Sequence, residues 1–134
     1  MSQAKQMLDT HPGDLNVDAN LLARCLDACS ECAQACTSCA DSCLSESDVQ
    51  AMTTCIGRDL ICAEICETTA RVVGRQTAYD ADVTRRQLEA CAAACKSCGD
   101  ECAAHGEHME HCRICAESCR RCEEACRELL AALS

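Results

Sequence analysis

Aromatic side chains are almost missing from this chain: Tyr79 stands alone among 134 residues, with no Phe and no Trp. Large aliphatics are few and gather toward the expected helix ends, so an ordinary hydrophobic core would be thin. Pro12 is the one proline and there are 5 glycines, too few turn formers for a loop-rich, disulfide-stapled scaffold. Positive charge is short as well. Against 22 Asp+Glu stand 12 Lys+Arg, a net charge of −10 with a pI near 4.7, which argues against nucleic acid and against an anionic membrane surface as partners. No apolar run reaches transmembrane length. The opening residues MSQAKQMLDTHPGDLNVD contain neither an apolar h-region nor a small-residue cleavage site. The expected location is therefore the reducing cytoplasm, where abundant cysteine points to metal rather than to disulfides. The length suits one domain.

What the chain does have is sulfur, 18 cysteines in all. The stretch CLDACSECAQACTSCADSC places Cys25, Cys29, Cys32, Cys36, Cys39 and Cys43 at alternating spacings of four and three. That is the rhythm of one inward helix stripe, with thiols where leucine would normally sit. Free cysteine behaves as a small buried hydrophobe, so such a stripe can form a core without metal.

In chain order, residues 1–16 read as a polar arm or short helix ending at His11-Pro12-Gly13. Its Met1, Met7 and His11 read as solvated residues rather than ligands. Residues 17–134 read as a four-helix bundle. The first bundle helix starts near Val17-Asp18, with Asp18 or Asn16 as cap, and runs through Cys43 to the turn at Ser45–Asp48. The second, from about Asp48 to Val73, carries Met52, Cys55, Asp59, Cys62, Cys66, Thr69 and Val73 in the same rhythm, and Gly74 stops it. The third carries Leu88, Cys91, Cys95, Cys98, Cys102 and His105 before Gly106. The fourth begins near Glu107 or His108 and carries Cys112, Cys115, Cys119, Cys122 and Cys126, then Leu129, Leu130 and Leu133.

Short connections predict an all-α, antiparallel up-down-up-down bundle with a cysteine-lined core. One end, the mouth, then gathers Cys43, Met52, Cys102, His105, His108, Met109, His111 and Cys112. The other gathers Leu15, Val17, Leu21, Leu22, Val72, Val73, Val83, Leu88, Leu129 and Leu130. His105 and His108 have the phase to face the mouth. His111, beside a stripe position, reads as rim or surface; Met52 is better placed than Met109. Asp59 reads equally well as a ligand or as a hydrogen-bonded core carboxyl, and Thr69 as a packed hydroxyl. The outer charges, among them Arg120, Arg121, Glu123 and Glu124, read as a solvated face.

Side chains at i and i+4 on a helix lie ~5–6 Å apart at Cβ, so two thiolates so placed can clamp one small ion. Eight C-x-x-x-C pairs use sixteen of the cysteines. Cys55 and Cys112 remain, each with a ligand-type residue at the same offset, Asp59 and His108. Thiolates select Cu(I), Zn(II) or Fe–S clusters. One Cu(I) per thiolate leaves each unit neutral, whereas Zn(II) held by four thiolates carries −2, costly to repeat in a dry interior. Structural zinc draws its ligands from turns and mixed elements, and iron–sulfur cysteines come from loops. Cu(I) fits best, at roughly one ion per cysteine. An Fe–S or thiol redox and electron-transfer module, and a zinc buffer whose apo chain is largely unfolded, remain the alternatives.

These inward pairs over residues 18–130 resemble the four-helix-bundle copper storage proteins, in the cytosolic branch that lacks an export signal. The resemblance implies a preformed apo bundle, many Cu(I) ions bound by thiolates along its axis, uptake at a His/Met end and a homotetramer. Here that end maps onto Met52, His105, His108, Met109 and His111, richer in histidine than the mouth of the exported branch. The expected function is non-enzymatic Cu(I) sequestration. Its partners are copper ions, with a copper chaperone or a copper-requiring enzyme as exchange partner.

Overall fold

Short polar side chains open three of the helices by accepting hydrogen bonds from backbone N–H groups that the first turn leaves free. In the computed structural model, which describes residues 2–133, Ser2 caps α1 (Gln3–Asp9) through the Lys5 N–H at 3.2 Å. Asp18 caps α2 (Ala19–Leu44) through the Leu21 N–H at 2.9 Å. Asp80 caps α4 (Ala81–His105) through the N–H groups of Asp82 and Val83, both at 3.0 Å. The other two long helices are α3 (Thr53–Val73) and α5 (Glu110–Ala132). Met1 and Ser134, and with them the reading of Met1, lie outside the described residues.

Two helix starts differ from the sequence expectation. The second bundle helix begins at Thr53 rather than near Asp48, because Asp48 caps a separate 3-10 turn, Val49–Met52. The fourth begins at Glu110 rather than at Glu107 or His108. There Gly106–His108 form a turn, closed by the His108 and Met109 N–H groups, which both donate to His105 O. Gly74 ends α3 as expected, but with φ −72° in the right-handed region, not in a left-handed cap. Gly99 has a packing role: a Cβ there would lie 3.2 Å from Cys119 Cβ, so its absence lets α4 and α5 approach.

Each long helix packs against two neighbours: α2 on α3 and α5, α4 on α3 and α5, leaving α2/α4 and α3/α5 as the diagonals. Antiparallel order follows from the sulfur contacts. Cys25 near the start of α2 meets Cys126 near the end of α5, and Cys39 meets Cys112 at the opposite ends. Sulfur also bridges the diagonals, Cys36 to Cys98 at 3.8 Å and Cys66 to Cys122 at 3.9 Å. The interior is therefore a continuous column of thiols drawn from all four long helices, with Ala40, Ala63, Ala92 and Ala116 also buried.

One end is closed by aliphatic packing. Leu22, Val73, Leu88 and Leu129 are fully buried, Leu8 of α1 packs with them, and Leu15, Val17, Leu21 and Leu130 lean against the cluster. Val83, expected in this plug, is 53% exposed instead, in the first turn of α4. A polar clasp holds the segment after α1 in place. Asn16 donates from its backbone N–H to Gln76 Oε1 at 2.8 Å and from Nδ2 to Gln76 O at 2.9 Å. Among the described residues, no helix is long and apolar enough to cross a membrane.

Candidate metal centre

All 18 cysteines are buried and none is in a disulfide. The 3/4 spacing turns each thiol inward, and the narrow bundle brings thiols of different helices together. Among the described residues, quartets along the axis include Cys29, Cys91, Cys122 and Cys126; Cys32, Cys66, Cys95 and Cys122; Cys32, Cys36, Cys62 and Cys119; and Cys36, Cys98, Cys115 and Cys119. Another, Cys39, Cys43, Cys112 and His111, stands at the mouth. Within each, the ligand atoms lie within 4.8 Å of one another. Neighbouring sulfurs are closer, such as Cys66 to Cys95 and Cys55 to Cys102, both 3.6 Å.

Successive quartets share members. Of those along the axis named above, Cys122 joins two, Cys32 joins two, and Cys36 and Cys119 join the same two. An isolated structural zinc is closed by four ligands in a tetrahedron, with sulfur at ~2.3 Å. Shared thiolates suit an ion that accepts few ligands and tolerates bridging sulfur, which is the chemistry of Cu(I). The apo thiols do not titrate alike: the Cys126 contact holds Cys25 down at about 5, and contacts with Cys102 and Cys115 lower Cys39. Burial pushes Cys43 up to about 11. Burial, and then negative charge at Cys39, push Cys112 up as well.

Asp59 takes the place of a cysteine in the α3 stripe and is wholly buried. Its Oδ1 accepts from Cys98 at 3.0 Å, Cys102 at 3.3 Å and Cys115 at 3.4 Å, and its Oδ2 accepts from Cys55 at 3.8 Å. Burial, followed by the Cys98 contact, pushes this carboxyl up to about 9, so it is neutral near pH 7. Thr69 is a satisfied hydroxyl: it donates to Ile65 O at 2.7 Å and accepts from Gln87 Nε2 at 2.9 Å.

The mouth residues separate. Met52, the last residue of the 3-10 turn, is fully buried, and Met109, at the N-cap of α5, is partly buried against the thiol core. His108 is exposed in the turn before α5, so helical phase does not apply to it. His105 is half-buried at the end of α4, with Nε2 2.9 Å from Glu101 Oε2. His111, read as rim from its phase, has Nδ1 3.5 Å from both Cys39 Sγ and Cys112 Sγ. Glu46 escaped the sequence reading, although it continues the α2 stripe three residues after Cys43. Its Oε1 lies 3.5 Å from His111 Nε2. The outer charges pair rather than stand free: Arg120 reaches Asp100 at 2.7 Å across α4 and α5, and Arg127 reaches Glu123 at 2.8 Å.

Comparison with known proteins places this arrangement. Residues 18–131 match the family model of the copper storage proteins. The copper storage protein Ccsp of Streptomyces lividans, in a structure loaded with 10 copper equivalents, is 55% identical, with a TM-score of 0.96 over 98% of this chain and 100% of that one. The Cu(I)-bound copper storage protein BsCsp3 is 33% identical, with a TM-score of 0.70 over 79% of this chain and 94% of that one. The uncharacterized cysteine-rich protein YhjQ of Bacillus subtilis is 37% identical over 92 residues, 69% of this chain and 80% of its own length.

Proposed function

The chain belongs to the copper storage protein family, and from that premise we propose that it sequesters Cu(I) in the cytosol, on thiolates inside a bundle already folded without metal. A structure of the Streptomyces lividans relative, 57% identical, is described as a cytosolic copper storage protein carrying five coppers. The observation that carries the reading here is the file of overlapping thiol quartets along the bundle axis. No ordinary core needs 18 buried thiols, and no isolated zinc site shares its ligands in this way.

The role is binding rather than catalysis. In this reading all 18 cysteines hold ions at roughly one Cu(I) each. Residues from 17 onward form the container, and residues 1–16 help close its aliphatic end. Ions pass at the opposite end, past Met52, Met109 and the histidines His105, His108 and His111. Of these, His111 is best supported as a ligand, since its Nδ1 already stands against two thiols. Asp59 serves as a neutral core carboxyl that accepts thiol protons' hydrogen bonds, with ligation only once those protons have left. A homotetramer, and exchange with a copper chaperone or a copper-requiring enzyme, belong to the same reading.

Anaerobic titration of the reduced protein with Cu(I), against a competing chromogenic chelator, tests it. Tight uptake continuing to about one equivalent per cysteine is the expected result. Saturation after a few equivalents would overturn it.

A further inference from the structure

The α2 stripe does not end with its last thiol. Glu46 stands three residues beyond Cys43, in the same 4/3 register, and its backbone N–H donates to Cys43 O at 3.2 Å. One more turn of chain therefore carries a carboxylate back over the mouth, toward the ring of His111. There His111 presents its two nitrogens to opposite surroundings. Nδ1 faces the sulfurs of Cys39 and Cys112, both at 3.5 Å. Nε2 is buried and makes no hydrogen bond, with Glu46 Oε1 3.5 Å away.

A buried ring N–H with no acceptor is costly, and a neutral imidazole carries its proton on one nitrogen only. Which nitrogen binds a metal is set by the hydrogen bond that the other makes. We propose that Glu46 is the positioning residue for His111: its carboxylate holds the proton on Nε2 and keeps the Nδ1 lone pair turned toward Cys39 and Cys112. The inference rests on the storage reading in taking His111 as a mouth ligand; the tautomer itself does not depend on it. His105 has a comparable partner in Glu101, but Glu101 also accepts from Arg58 Nη1 at 3.2 Å. That carboxylate is engaged in joining α3 to α4. Glu46, with its side chain 35% exposed in the turn after α2, has His111 as its ion-pair partner.

The test uses reduced apo protein with 15N-labelled histidine. Long-range 1H–15N correlation spectra of the wild-type protein are expected to show His111 with the proton on Nε2. In Glu46→Ala the population shifts toward the Nδ1–H form, and Glu46→Asp restores part of it. The rate of Cu(I) transfer from a chromogenic chelate falls about tenfold or more in Glu46→Ala, with total capacity unchanged. That loss disappears when Glu46→Ala is made in a His111→Ala background. A wild-type His111 protonated on Nδ1 overturns the proposal. So does a Glu46→Ala effect of the same size with His111 absent. Should the wild-type protein take up only a few equivalents, the storage reading falls, while the ring spectra still decide the role of Glu46.

Discussion

Asp59 is a carboxyl that the fold keeps neutral, and this sets the sign of a pH effect. Its value rises from 3.8 in the open chain to about 9 in the bundle, so between those values the native state holds a proton that the unfolded chain has lost. Stability from this group is fully present below about pH 4 and is lost as pH rises through about 9. The slope is at most about 1.4 kcal/mol per pH unit. Denaturant unfolding of the reduced apo protein at pH 5, 6 and 7 is expected to show the wild type losing stability relative to Asp59→Asn at each step. Parallel curves would mean that Asp59 is already ionised. Residues also differ in how many thiol groups they join. Cys36 joins two of the quartets named above, whereas Cys25, at the end of the file, meets Cys126 and Cys29 and joins none of them. Cys36→Ser is therefore expected to lower the copper capacity measured by chelator competition more than Cys25→Ser does. The thiols were legible in the sequence because a buried stripe has only one direction to face. His111 was not: spacing gives the angle of a side chain, and an imidazole in the first turn of α5 is long enough to reach past that angle to Cys39.

At the scale of elements, the stripes announced the four long helices, and Asp18, read as a cap, does start α2; Asp80, which starts α4 in the same way, was not read from the sequence. The two starts that the sequence misplaced both lie at the mouth. In each case a short turn interrupts the chain without breaking the periodicity, Val49–Met52 before α3 and Gly106–His108 before α5. Periodicity survives there because Met52 remains buried although it is not in the α-helix. Stability is concentrated at the opposite end. The cysteines bury small side chains, so the four fully buried aliphatics Leu22, Val73, Leu88 and Leu129 supply an outsized share of the apolar burial. Leu88→Ala is expected to cost the apo protein about 2–5 kcal/mol in urea unfolding, from lost transfer energy and the cavity left behind. The copper-loaded form should lose less of its resistance to unfolding, because ions bound only to the native bundle stabilise it by mass action. Equal losses in both forms would mean that metal adds nothing to the hold of the helices on one another.

For the whole molecule, charge decides which ion the interior can accept in quantity. The chain already carries −10, and at the mouth Cys43 and Cys112 are pushed upward toward the protonated form while Cys39 beside them is lowered. Each Cu(I) that displaces one thiol proton leaves the interior as neutral as before, so loading can proceed ion after ion along the shared quartets with no electrostatic debt. Each Zn(II) taken by four unshared thiols releases four protons and adds two negative charges, in a region where uncompensated charge is costly. The two cases separate in one measurement. Loading followed in a weakly buffered solution should release about one proton per Cu(I), at neutral pH and throughout the titration. Electrophoretic mobility should stay nearly constant and helicity should already be present at the start. Acid shifts the same equilibrium backward, so affinity falls as pH falls. A release well below one proton per ion would mean that the apo bundle holds standing thiolates, and the argument from neutrality would fail at its first step.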